Sequence, residues 1–215
     1  MTVITSLINT KAVNFLRHFR SHGYINLVAI SPDQSEILGV NHDIESSAVD
    51  DFIKRYNGQY NIYFMVNEPD ENAPHKKLGK HHVSMLHGVW LDADPDPLID
   101  FNEERIRLFQ FADDLIGADN PPTYIIDSGG GIQAFWLLKR PVSADQKSIA
   151  TFEALSNGLA EQYSTDTVFN VDRIMRVPFT LNIPTPKKER IGREAALSTV
   201  YYAESPRGRR YDFTN

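Results

Sequence analysis

A largely apolar run, Met85 to Leu91, leads straight into Asp92-Ala93-Asp94-Pro95-Asp96-Pro97. A run of seven residues is short for a helix and reads as a buried strand. The two prolines end it, because proline cannot donate to a strand ladder. Alternate residues of a strand share one face, ~6.6 Å apart. Asp92 and Asp94 therefore project together, and Ala93 points away. Acids that close a buried strand often sit at a cleft. On its own the pattern reads equally well as an acidic turn. Asp96 has the same parity, but the prolines end the strand before it.

Around this strand the chain alternates helix and strand patterns. Thr10 to His22 reads as a helix, with Val13, Leu16 and Phe19 at helical spacing and Gly23 as its stop. Tyr24 to Ile30, Glu36 to Val40 and Tyr60 to Val66 read as strands. Ser46 to Tyr56 reads as a helix with Val49, Phe52 and Ile53 on one face. The polar stretch Asn67 to His81, with two prolines, reads as a loop. Further on, Asn102 to Ile116 reads as a helix with Ile106, Phe109 and Leu115 inward. Thr123 to Asp127 and Ile132 to Leu138 read as strands. Ser143 with Gln146 fits a capping box for a helix carrying Ile149, Phe152, Leu155 and Leu159. The β-α-β-β-α order of this second block fits a ferredoxin-like, RNA-recognition-type (RRM-like) unit. The expected fold class is α+β. An N-terminal α/β subdomain, residues 1–82, packs on an RRM-like subdomain, residues 83–215, that ends in a basic tail.

Composition narrows the classes. No apolar run approaches the ~20 residues of a membrane helix, and the first residues lack the pattern of a signal peptide. With no cysteine, disulfides, thiolate zinc sites and cysteine nucleophiles are excluded. A cytoplasmic location without membrane contact is the expectation. The net charge of -6 runs against a general nucleic-acid binder. Positive charge is nevertheless concentrated in Lys187–Arg193 and Arg207–Arg210, and a cation-holding site itself needs acids.

Hard divalent ions such as Mg²⁺ or Mn²⁺ take carboxylate oxygens and leave positions open for phosphates. Two such ions ~4 Å apart can activate an attacking hydroxyl and stabilise a leaving oxygen. The Asp92/Asp94 spacing suits that chemistry. Ser128-Gly129-Gly130-Gly131-Ile132-Gln133 lies between two strands. Its glycines can bring backbone N–H groups close to a phosphate, and it also reads as a plain hairpin turn. A dinucleotide fold is rejected, because a strand follows and not a helix. Gln133 is an odd polar residue in an apolar strand. In Asp166–Asn182 (DTVFNVDRIMRVPFTLN), Arg173 and Arg176 share a face if the segment is helical. Their forked guanidinium groups suit phosphate oxygens. An Asp172–Arg176 surface pair is the competing reading.

Together these segments resemble the archaeo-eukaryotic primase superfamily, in its plasmid- and phage-type (RepB-like) primase-polymerase branch. Leu91-Asp92-Ala93-Asp94 is similar to the family's h-D-h-D strand. Ser128 to Gln133 is similar to its small-residue turn, with Gln133 where many relatives carry histidine. Asp166, followed by Arg173 to Asn182, is similar to its third acid and R-x-x-R-x-P-G-T-x-N stretch. Phe179 stands where plasmid and phage relatives usually carry glycine. The similarity covers about Trp90 to Arg193.

The resemblance implies template-directed nucleotidyl transfer from NTPs or dNTPs on single-stranded DNA, with two divalent ions. Asp92, Asp94 and Asp166 would be the catalytic, metal-holding carboxylates, with Asp172 as the alternative third. Ser128, Gly130, Gly131, Gln133, Arg173 and Arg176 would contact the nucleotide. Lys187 and Lys188 would add phosphate or template contacts. The basic end suits one piece of a longer replication protein, with a helicase in cis or trans. A non-catalytic single-strand-binding module and a metal-dependent nuclease are the other readings of these residues.

Overall fold

The computed structural model describes residues 3–213. Its helices are α1 (Val3–Phe19), α2 (Ser47–Tyr56), α3 (Phe101–Ile116), α4 (Gln146–Tyr163) and the short α5 (Pro186–Glu189). Strands β1 (Tyr24–Ile30), β2 (Ile37–Asp43), β3 (Asn61–Met65) and β8 (Ile174–Arg176) form one antiparallel sheet in the order β2-β1-β3-β8. Strands β4 (Glu68–Pro69), β5 (Val83–Ala93), β6 (Tyr124–Asp127), β7 (Ile132–Ser143) and β11 (Thr199–Tyr202) form a second, in the order β11-β6-β7-β5-β4. β9 (Leu181–Asn182) pairs with β10 (Ala196–Leu197). The architecture is mixed α and β, as expected. The sheets exchange strands across residue 82: β4 borders β5 in the second sheet, and β8 pairs with β3 in the first.

β5 is buried on both faces. Trp90 packs with Phe135, Tyr124 and Leu137 against α1 and the inner face of the first sheet, where Leu27, Ala29, Phe64 and Met175 lie. Phe15, Phe19, Phe64, Tyr124 and Phe135 meet there mostly edge to face, contacts each worth about 0.5–1.5 kcal/mol beyond area burial. Leu91 and Ala93 face the opposite way, with Ala134 and Trp136, under Leu108, Ala112 and Leu115 of α3.

Local expectations for two helices are corrected. Ile106 is 72% exposed; the inward stripe of α3 is Glu104, Leu108, Ala112 and Leu115. Glu104 is buried because its carboxylate takes Arg107 and the Asp96 N–H. The N-cap of α4 is Asp145, which accepts from the Ser148 N–H, and Ser143 remains in β7. Leu155 on that helix is largely exposed. The basic tail packs back on the fold: Arg210 donates to the His18 and Phe19 carbonyls at the end of α1, and Arg209 pairs with Glu204.

Candidate active site

β5 ends at Ala93, so Asp94 lies just past the strand, and both acids line one cavity. Asp92 lies on the same face of β5 as Trp90, and its register partner on β7 is Gln133, as Phe135 is that of Trp90. Asp92 is buried. Burial first, and the neighbouring Asp94 charge second, push its carboxyl up to about 6, against the pull of Arg173 and Gln133. Arg173 Nη2 lies 3.1 Å from Asp92 Oδ2, and Gln133 Nε2 lies 3.3 Å from Oδ1.

Where a helix was expected, the arginine segment has Arg173 in a turn region and Arg176 in the short strand β8, and this is a correction. β8 pairs with β3, placing Arg176 opposite Tyr63 and burying Met175 between the sheets. β8 is the edge of its sheet, so the Arg176 N–H is free to donate outward to Gln133 Oε1 at 3.0 Å. Gln133 thus joins the edge of one sheet to the acid of the other. The Arg176 side chain is 5% exposed. It donates to Asn61 Oδ1, Tyr63 Oη and Asn182 Oδ1. Among the described residues no carboxylate lies within ion-pair distance of it, so the Asp172–Arg176 pair does not form; Asp172 accepts from Asn170. Burial lowers the Arg176 pKa from its ordinary value.

These groups line a cavity of about 560 Å³. Asp92, Asp94, Ser128, Gly130, Gln133, Arg173, Arg176 and Lys188 reach it; Gly131, Asp166 and Lys187 do not line it. The Ser128 hydroxyl is spent inside its turn, accepting from the Gly130 and Gly131 N–H groups and donating to the Gly131 carbonyl. Gly131 is required by close approach: a Cβ there would overlap the Ala93 carbonyl and fall 2.7 Å from Asp94 Oδ1. Asp166 is tied to the strand end by backbone contacts, its N–H to the Asp92 carbonyl and its Oδ2 from the Asp94 N–H.

Sequence reasoning missed Asn61, Tyr63, Asn182 and Arg193. The first two come from β3, more than 100 residues from Arg176, and no local pattern marks them. Arg193 was seen only as part of a basic stretch. Its guanidinium stacks 3.4 Å from the Phe101 ring centroid and reaches over Gly130, with no ion-pair partner among the described residues. Burial, then Arg105, lowers its pKa, with Asp94 opposing.

The donor set at Asp92 and Asp94 is carboxylate oxygen, the type that hard divalent ions prefer. A cation held by these two carboxylates would offset the Asp94 repulsion that adds to burial in raising Asp92. The fit is to a pair. Among the described residues, no three acidic or histidine side chains are grouped closely enough to hold a metal ion, because Asp166 points its carboxylate at the Asp94 backbone.

The two sheets meet at the acidic strand end, with an edge-strand arginine beside it. The sequence matches no protein-family model and no curated protein. Solved structures do match. A crystal structure of primase RepB′ superposes with a TM-score of 0.62 at 11% identity, over 94% of this chain and 58% of that one. The catalytic domain of primase RepB′ in complex with initiator DNA gives 0.59 at 12%, over 94% and 87%. The chain therefore has the fold of the RepB′ primase catalytic domain and spans 58% of the length of the first structure.

Proposed function

We propose that this chain is a DNA primase-polymerase, transferring nucleotides from NTPs or dNTPs onto a strand paired with single-stranded DNA. The observation that carries the reading is Arg176, a buried cation with only neutral acceptors, lining the same cavity as the Asp92/Asp94 pair. A cavity with paired acids and a cation lacking a carboxylate suits an anionic ligand that also binds divalent ions, and a nucleoside triphosphate is such a ligand. The likeness to the RepB′ catalytic domain, a structure that holds initiator DNA, supports the same choice.

In the reaction, a 3′-hydroxyl forms a P–O bond to the α-phosphorus and the bond to pyrophosphate breaks. Arg176, held in one orientation by Asn61, Tyr63 and Asn182, neutralises triphosphate oxygens without reorganising. Arg173, Arg193 and Lys188 add positive charge around the same space. Gln133 fixes Asp92 against the edge of β8. Asp92 and Asp94 would hold Mg²⁺ or Mn²⁺, whose chemistry there is to activate the hydroxyl and neutralise the leaving group, while Asp166 positions the strand end through the Asp94 N–H. Catalysis is positioning and electrostatics, with no protein nucleophile. A helicase in cis or trans and a place in plasmid or phage replication accord with this activity.

The test is labelled single-stranded DNA incubated with Mg²⁺ or Mn²⁺, with and without nucleotides. Nucleotide-dependent extension is expected. Cleavage without nucleotides would make the chain a nuclease, and binding without product a replication module.

A further inference from the structure

The outer face of the first sheet, which supplies Ile30, Tyr63 and Arg176 to the cavity, continues past the cavity under a basic loop. The sequence His75-Lys76-Lys77-Leu78-Gly79-Lys80-His81-His82 places three lysines and three histidines in eight residues of a chain with net charge -6. The loop is pinned to the sheet. Asn26 and Asn41, buried and opposite each other on β1 and β2, send their side-chain amides to loop carbonyls: Asn26 to Lys76, Asn41 to Asp70 and Ala73. The Asn41 N–H donates to His75 Nδ1. Ala73 and Leu78 are buried beneath the loop in a core cluster with Met65 and Leu86. Gly39 lets the Lys76–Lys77 backbone lie directly on β2, since a Cβ there would overlap it.

This pinning sets where the charges stand. Gly39 pairs with Val28, and the next pair on that face, Ile37 with Ile30, lines the cavity. One strand repeat, ~7 Å, separates them. Lys76 and Lys77 are exposed and have no ion-pair partner among the described residues, whereas Lys80 is taken by Glu153. Beside them the His42 and His75 rings lie 4.8 Å apart between centroids, with His75 exposed. Unpaired cations on a pinned backbone, next to a ring pair with one exposed member, are elements that hold a single strand, phosphates on the cations and bases on the rings.

We infer that Lys76, Lys77 and the His42–His75 pair form a track for the backbone of single-stranded DNA running to the cavity at Ile30 and Ile37. The inference rests on the proposed function and adds to it the surface that carries the template. It predicts a strand contact outside the catalytic groups, on a loop whose removal of charge leaves the cavity intact.

The experiment is fluorescence anisotropy with a labelled single-stranded oligonucleotide across a salt series, for the wild type and the Lys76→Ala/Lys77→Ala double variant. A thermal melt checks that both are folded. Each phosphate contact on a single strand contributes about 0.7 to the slope of log K against log salt. The double variant is expected to lose about 1.4 from that slope and to bind about 25-fold more weakly at 0.1 M salt. Wild-type binding with an unchanged slope and affinity in the folded variant overturns the track alone. A wild type that binds no single strand overturns the functional reading, and the track with it.

Discussion

Gln133 faces Asp92 directly across the β5–β7 ladder, with its amide nitrogen 3.3 Å from Oδ1 and its amide oxygen taking the Arg176 N–H at 3.0 Å. An amide supplies both a donor and an acceptor at once, which this bridge between two sheets needs. Gln133→Ala leaves a buried strand-edge N–H without a partner. A destabilisation of about 1–3 kcal/mol is expected in urea unfolding, together with weakened nucleotide binding.

Arg176 and Arg193 reach the same cavity from different elements. Arg176→Lys keeps charge but loses the three-way anchoring by Asn61, Tyr63 and Asn182. Nucleoside triphosphate affinity, measured by calorimetry, should fall about tenfold or more, as for one charge-assisted hydrogen bond. Arg193→Ala removes a cation and its stacking on Phe101, and should weaken triphosphate binding more than monophosphate binding. Equal effects on both ligands would place Arg193 away from the terminal phosphates.

Gly131 sits against the acidic strand end. In Gly131→Ala the new methyl must displace the Ala93 carbonyl and Asp94. The expected result is a loss of about 1–3 kcal/mol in stability and a larger loss of extension activity than of single-strand binding. Activity equal to the wild type would show that the strand end tolerates movement.

His87 gives the fold a defined acid sensitivity. It lies 2.9 Å from Glu68 Oε2, and burial, with a further contribution from Arg20, holds its imidazole down to about 4 in spite of Glu68. Its folded pKa is below the unfolded value, so the unfolded chain binds more protons between the two. Stability is full above about pH 6.5 and declines as pH falls towards 4, by roughly 3 kcal/mol at most. His87→Gln should flatten that decline in unfolding measured at pH 7 and pH 4.5.

The place of Asp92 beside Gln133 was readable because strand parity is local and strict, whereas Asp94 lies past the end of β5. The backbone of Phe179 was not readable from the residues. Phe179 adopts φ 63°, a left-handed conformation that glycine takes without strain. Arg173 and Arg176 misled because β8 exists only through pairing with β3, and a three-residue strand carries no period of its own. The α3 stripe misled because a buried Glu104, paid for by Arg107, replaces an apolar residue that periodicity would seek. Arg176's partners on β3 are set by the tertiary fold, which no local window contains.

The central claim is that Asp92 and Asp94 carry the chemistry. Primer-template extension by Asp92→Asn and Asp94→Asn, with Mg²⁺ and Mn²⁺ titrated, tests it most directly. Loss of extension by at least about 100-fold, on the scale of removing a dominant electrostatic group, is expected in both variants with single-strand binding retained. Extension at the wild-type rate in either would contradict the assignment.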